Sequence, residues 1–395
     1  MTKVVVAHDY VSQRGGAERV ALTLLRTFPG APLVTSVYDA EQTFPGFRAH
    51  EVRTSPLQAV PAFRRDPRLA LPLLAPVWSR TRVTRADADV VVASSSGWAH
   101  GLATDPGVGL VVYCHNPARW LYQSDEYFAG RRVGAKAIST FGSALRRWDG
   151  SHARRATRYL ANSSSVARRI RDAYGIEAEV LPPPVSVDTA GPMDPVPGLE
   201  PGFLLTVARG RGYKNTSVVE EAVAGLPGER LVVVGSATAD EPAASSAVVR
   251  LGRVSDARLR WLYANARALV SVSFEDFGLT PLEANAFGTP AVLLRAGGFL
   301  DTLAEGVSGV FVDAPEVGAV RSAVRSLPDL DADRIRLHAA TYSEAAFRAR
   351  LHEVVEDVAA GRSSRERVID LRDSARTVRL PGQSSAAASS PVAGA

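Results

Sequence analysis

Short, nearly unbroken apolar runs recur along the chain, separated by stretches whose apolar residues repeat at helical spacing. In the first half the runs are Val4–His8, Leu33–Tyr38, Val90–Ala93, Leu110–His115 and Tyr159–Ala161. In the second half they are Phe203–Ala208, Arg230–Val234, Ala268–Ser271, Ala291–Leu294 and Gly309–Val312. Runs rich in Val and Leu, without polar alternation, predict strands covered on both faces, as in parallel sheets flanked by helices. Strand and helix alternate through both halves, which predicts two doubly wound α/β domains. The Pro/Gly density of Leu181-Pro182-Pro183-Pro184 and Gly191–Gly198 predicts a connection between them, because proline removes backbone donors and disfavours helix before it. The expected organisation is a first domain over 1–185, a linker over 186–202, a second domain over 203–342, a helix over 343–361 packing back on the first domain, and a disordered tail over 362–395.

Composition narrows the classes. The 395 residues are 46% apolar and 22% charged, ordinary for a globular protein. The single cysteine, Cys114, excludes an intramolecular disulfide framework and a thiolate zinc cluster. It reads as a buried apolar residue rather than a nucleophile. No stretch of about 18 uncharged apolar residues exists to span a membrane. Val4-Val5-Val6 meets His8 and Asp9 too early for a signal peptide, so the expected location is cytoplasmic. The net charge of +5 is uneven: residues 1–180 carry 24 Lys+Arg against 15 Asp+Glu, and the remainder 22 against 26. A basic first half suits an anionic membrane surface, with peripheral attachment at the inner face of the cell membrane. Phe63–Arg80, which mixes Arg with Leu, Trp and Pro, reads as a surface for lipid headgroups or as an acceptor wall, with a solvated connection as the competing reading, and its prolines preclude one regular amphipathic helix. No nucleic-acid-binding signature accompanies the basic charge, so nucleic acid is not an expected partner.

Three segments carry candidate chemistry. Gly15-Gly16 precedes an apolar helical pattern beginning at Ala17, which offers close backbone approach and a helix N-terminus to an anion. The loop Arg209-Gly210-Arg211-Gly212-Tyr213-Lys214 follows a strand, and such strand ends hold ligands in open α/β sheets. Its cations suit a diphosphate, and a plain solvated loop is the competing reading. The third segment runs from Ser273 to Pro290. It holds Glu275 and Glu283 on either side of Phe277-Gly278-Leu279-Thr280, where a helix is expected to start with Pro281 in its first turn. Facing one pocket, the carboxylates would serve sugar hydroxyls, and the free N–H groups near Leu279 and Thr280 a phosphate. Asp87-Ala88-Asp89 has the look of a metal-binding pair but reads as a turn before a strand, and Asp331-Ala332-Asp333 as a helix start.

The block from Glu275 to Pro290 resembles the donor-site signature of retaining GT-B glycosyltransferases of family 4, the group 1 glycosyltransferases. The similarity extends to Gly15–Arg19, Tyr113–Tyr122, Asn162–Ile170, Leu181–Val185, Arg209 with Lys214, Leu251–Ser255 and Gly297–Asp301, and the segment around His115 is similar to the mannosyltransferase-like branch. The resemblance implies two Rossmann-like domains facing each other across a cleft. It implies that Arg209 and Lys214 bind the donor diphosphate, Glu283 the ribose, Glu275 the donor sugar, and that Gly15 and Gly16 leave room beside the diphosphate. Phe277, Gly278, Leu279 and Thr280 would complete the donor site, the main chain at Arg253 and Val254 would meet the base, and His115 would sit at the reaction centre. The implied activity is metal-independent transfer of a hexosyl group, with GDP-mannose as leading donor and a UDP-linked sugar as the other. The acceptor would be a glycan or a lipid-linked precursor. A nucleotide-sugar epimerase, a glycosyl phosphorylase and a non-catalytic sugar-nucleotide binding protein remain open.

Overall fold

The structure is a computed structural model that describes residues 2–123, 132–207, 214–235 and 246–362. The tail from Ser363 lies outside the described residues, as does the loop 208–213 that contains Arg209 and Arg211.

Seven parallel strands form the first sheet: β1 (Val4–His8), β2 (Leu33–Thr35), β3 (Val52–Thr54), β4 (Val90–Ser95), β5 (Gly109–Cys114), β6 (Arg158–Ala161) and β7 (Glu179–Val180). Their spatial order is β3-β2-β1-β4-β5-β6-β7. Alternation along the central strands explains why they must be apolar throughout. Val5, Ala7, Val91, Ala93 and Val112 pack into a core on one face. Val4, Val6, Val90, Val92 and Val111 pack into another core on the opposite face. The second sheet comprises β8 (Leu204–Val207), β9 (Leu231–Val234), β10 (Val248–Gly252), β11 (Ala268–Ser271), β12 (Ala291–Leu294) and β13 (Gly309–Val312). It is also parallel, in the order β10-β9-β8-β11-β12-β13. Both sheets therefore reverse direction beside their first strand, between β1 and β4 and between β8 and β11. The carboxyl ends at such a reversal open a crevice for ligands.

Three strands of these two sheets lie outside the apolar runs of the sequence. β3, β7 and β10 include Arg53, Glu179 and Arg250, and all three sit at sheet edges, where one side is half-exposed and the pattern of a doubly covered strand is lost. Conversely, the run from Leu33 ends as a strand at Thr35, because Ser36 turns its N–H and hydroxyl to the carbonyl of Asp9.

Four helices position the site: α1 (Gly16–Thr27), α2 (Ser164–Tyr174), α3 (Leu279–Asn285) and α4 (Glu344–Ala359). Helix α4 is capped by Ser343, whose hydroxyl accepts from the Ala346 N–H. It inserts Phe347, Leu351, Val354, Val355 and Val358 into the core beside Val4 and Val6. These residues follow helical spacing. Gly109 makes room for the last of them, since a Cβ there would fall 2.3 Å from Val358 Cγ1. The segment 61–80 breaks at its prolines into Pro61–Arg65, Pro67–Ala70 and Leu71–Arg80. Among the described residues no helix is long and apolar enough to cross a membrane.

Leu351 is fully buried, so Leu351→Ala should cost about 2–5 kcal/mol of stability in denaturant unfolding. The buried Cys114 thiol, its pKa pushed well up by burial, should react with a thiol reagent at neutral pH only as fast as the protein opens. Prompt reaction of the native protein would contradict that burial.

Candidate functional site

The carboxyl edge of the second sheet holds the acidic block. After β11 the chain passes through Ser273 and Glu275 to Gly278, whose φ of 92° is the left-handed turn that starts α3. Lys214 Nζ pairs with Glu275 Oε1, and Ser273 Oγ donates to the same oxygen at 2.8 Å. Asn215 ties the two strand ends together, its side-chain amide donating to the Val272 carbonyl at 2.9 Å. The backbone of the acidic loop rests directly on Gly297 and Gly298. A Cβ at either would fall 2.4 Å or 2.3 Å from the carbonyl oxygens of Glu275 and Asp276 respectively, and Gly298 N–H donates to the Glu275 carbonyl at 2.8 Å. The glycine pair is thus what lets this loop hold its course.

Glu283 lies on α3, and both of its oxygens are engaged. Oε2 accepts from the buried Tyr263 hydroxyl at 2.8 Å, and Oε1 pairs with Arg19 Nη1 at 3.3 Å. Burial raises the Tyr263 phenol pKa, with the Glu283 carboxylate adding to it, so the phenol stays a donor. Arg19 comes from α1, just past Gly15 and Gly16. Gly16 faces Leu279, where a Cβ would make ordinary contact at 3.6 Å; at Gly15 a Cβ would collide with the Glu18 carboxylate at 2.3 Å. The start of α1 and the start of α3 therefore meet across the crevice.

The first sheet contributes its own carboxyl edge. His115 directly follows β5; its Nε2 lies 2.8 Å from Ser94 Oγ, and its N–H donates to the Ser95 carbonyl at 2.9 Å. Burial, with His8 adding to it, pushes the His115 pKa down to about 3, so the ring is neutral at physiological pH. Asp9, buried beyond β1, accepts the N–H groups of Ser96, Trp98 and Ala99 at 2.5, 2.9 and 2.7 Å and fixes the turn after β4.

Further bonds join the edges. Asp276 receives Arg169 at 2.6 Å and also pairs with Arg119, while Ser163 Oγ donates to the Asp276 carbonyl at 2.5 Å. Asp301 caps α2: its Oδ2 accepts the N–H and the hydroxyl of Ser164, both at 2.9 Å. Asp301 ends the Gly297–Asp301 segment of the family resemblance, and the structure gives its carboxylate to this helix terminus.

The remaining candidates are distributed as follows. Phe277 is buried against Tyr342, with ring centroids 6.0 Å apart. Arg253 is exposed beyond β10, and Val254 packs on the core of the second sheet. Arg209 lies outside the described residues. Glu275 and Glu283 do not share partners: one is held by Lys214 and the other by Arg19. Asp87 and Asp89 bind Thr84 and the Lys3 N–H, and so serve a turn and a strand start. Sequence reasoning missed Arg19, Tyr263, Ser94, His8 and Arg169, whose importance appears only once distant segments are brought together.

Comparison with known proteins bears on this arrangement. Residues 14–189 match the family model described as Glycosyltransferase Family 4, and residues 195–344 match Glycosyl transferases group 1. The chain belongs to the family 4, group 1 glycosyltransferases. The D-inositol 3-phosphate glycosyltransferases of Mycobacterium tuberculosis and Mycobacterium bovis are 30% identical to this chain over 223 residues, covering 48% of it and 46% of theirs. The chain thus spans about half the length of the curated relatives it matches. The crystal structure of Anabaena HepE in complex with UDP and glucose superposes at a TM-score of 0.65 and 18% identity, over 90% of this chain and 100% of that one. Sucrose-phosphate synthase from Thermosynechococcus elongatus gives 0.64 at 14% identity, over 91% and 100%. The lipopolysaccharide outer core galactosyltransferase WaaB gives 0.58 at 17%, over 90% and 99%. At these identities the likeness shows the fold, a GT-B arrangement of two parallel-sheet domains.

Asp276 and Arg169 form one of the partly exposed ion pairs across the crevice. A double-mutant cycle with Asp276→Ala and Arg169→Ala should give a coupling of about 1 kcal/mol in thermal or denaturant unfolding. Full additivity would show that the pair holds nothing together.

Proposed function

We propose that this protein transfers a hexosyl group from a nucleotide sugar to a hydroxyl acceptor, with retention of anomeric configuration and without a metal ion. The observation that carries the reading is the meeting of Lys214 with Glu275 at the reversal point of the second sheet. A cation there faces the negative charge that develops on a departing diphosphate, and the adjoining carboxylate suits sugar hydroxyls. In this reading Lys214 and Arg209 hold the diphosphate, with the backbone of Gly15 and Gly16 opposite. Glu283, already oriented by Tyr263 and Arg19, takes the ribose, and Phe277–Thr280 shape the floor. Arg253 and Val254 meet the base. His115 stands at the sugar.

The reaction balances without a further co-reactant. The bond from the anomeric carbon to the diphosphate oxygen breaks, and a bond from that carbon to the acceptor oxygen forms on the same face. The acceptor's proton passes to the departing diphosphate. GDP-mannose is the leading donor from the segment around His115. A UDP-linked hexose is supported by the UDP and glucose bound in HepE. The relatives' name supports a phosphate-bearing polyol as acceptor, beside the glycan or lipid-linked acceptor expected from sequence. The exposed Leu69 and Leu73, 60% and 44% accessible, lie among Arg64, Arg65 and Arg80 and support an anionic membrane surface next to the acceptor side.

With the preferred donor, Lys214→Ala and Glu275→Ala should each lower turnover roughly tenfold or more. If neither does, the site is misassigned. Turnover should survive a chelator, and the product should keep the donor's anomeric configuration by NMR. A strict requirement for Mn2+ would contradict the metal-independent reading, and an inverted product the retaining one. An epimerase would interconvert the donor without releasing nucleotide, a phosphorylase would need inorganic phosphate, and a binding protein would do neither.

A further inference from the structure

Three adjacent strands of the first sheet, β1, β4 and β5, end in a chain of hydrogen-bonding groups of which the reading above uses only His115. His8 closes β1 and Ser94 lies opposite it in β4, both almost wholly buried. His8 Nδ1 lies 2.9 Å from Ser94 Oγ and 3.2 Å from the Ser94 carbonyl oxygen. Ser94 Oγ lies in turn 2.8 Å from His115 Nε2. The two rings stand edge to face, with centroids 6.3 Å apart and an interplanar angle of 87°.

The proton positions follow from what each atom is able to do. A carbonyl oxygen only accepts, so the His8 nitrogen beside it carries the hydrogen; a bare nitrogen lone pair there would face another lone pair. His8 Nδ1–H therefore donates toward Ser94, and Ser94 Oγ is an acceptor on that side. The single hydroxyl hydrogen is left for the other neighbour, His115 Nε2, which accepts it. A neutral imidazole has one N–H, and with Nε2 accepting, that N–H is at Nδ1. Among the described residues Nδ1 of His115 has no hydrogen-bond partner.

We propose that His8 and Ser94 are positioning residues that hold His115 as the neutral, Nδ1-protonated tautomer, so that it meets the donor sugar as a hydrogen-bond donor and not as a base. The sugar contact rests on the glycosyl-transfer reading; the tautomer does not. The assignment agrees with same-face attack, in which the departing phosphate takes the acceptor proton and no side-chain base is needed. The device is directional: the fixed element is the Ser94 carbonyl, a backbone group that cannot switch roles, and it sets the sense of every bond after it.

Nitrogen-15 NMR of the full chain, with His115 assigned by His115→Gln, reads the tautomer without substrate. A proton on Nδ1 and a bare Nε2 are expected; a proton on Nε2 overturns the proposal. His8→Asn keeps an N–H near the place of Nδ1 and should preserve the His115 tautomer, whereas His8→Leu and Ser94→Ala should mix the two forms. In turnover, Ser94→Ala and His8→Leu should lower kcat roughly tenfold while KM for the nucleotide sugar moves less than about threefold, with His8→Asn recovering most of the loss. Unchanged kcat with mixed tautomers, or a loss that His8→Asn does not relieve, would overturn the positioning role. If the tautomer is as expected and no donor is turned over, the glycosyl-transfer reading fails and the tautomer assignment stands.

Discussion

The Asp276 carboxylate is where the two halves of this chain are held to each other. It projects from the loop after β11 of the second sheet and is met by Arg169 from α2 and Arg119 from the first half. Neighbouring bonds work in the same direction: Ser163 to the Asp276 carbonyl, Asp301 to the start of α2, and Arg19 to Glu283. Each is modest on its own, because partly exposed ion pairs are screened and cost side-chain freedom. Together they set the distance between two carboxyl edges that share no strand. Glu275 precedes Asp276 by one residue, so whatever fixes Asp276 also fixes the carboxylate proposed to face the donor sugar.

The sheets supply the other half of the constraint. A parallel strand brings all its loops out at one end, and a reversal of strand order parts two of those loops and leaves a crevice. Both sheets reverse beside their first strand, and the residues proposed to act gather at these two places. His8, Ser94 and His115 stand on one, Lys214 and Glu275 on the other. Glycine is needed where loops must touch. Gly297 and Gly298 lie so close under Glu275 and Asp276 that any side chain would displace them, and Gly278 supplies the left-handed turn into α3.

Much of this was legible in the sequence because the signals were local. Val4–Ala7 and Val90–Ala93 are apolar on both faces, and only a doubly covered strand needs that. The stretch from Ala268 to Pro290 announces its strand, turn and helix start in order. Of the four edge strands only β13 was legible: β3, β7 and β10 are half-exposed, and their Arg and Glu residues break the run. The partners of the carboxylates were not legible either. Arg19 lies 264 residues from Glu283, and Asp276 lies 107 residues from Arg169, and hydrophobic periodicity carries no record of which charge meets which. His8 was visible as the end of a strand, but its role depends on the carbonyl of Ser94, a group that no side-chain pattern reports. The loop with Arg209 and Arg211, which the sequence joins to Lys214, lies outside the described residues.

The central claim is that a nucleotide sugar sits between the two carboxyl edges. A crystal structure of the full chain with bound UDP or GDP tests it most directly. The account predicts diphosphate density within hydrogen-bonding reach of Lys214 Nζ, with the ribose against Glu283 and the sugar side open toward Glu275 and His115. Density placed instead in the cavity of about 320 Å³ lined by Tyr38, Arg64 and Arg65 would contradict it, as would a diphosphate that leaves the pairing of Lys214 with Glu275 facing solvent.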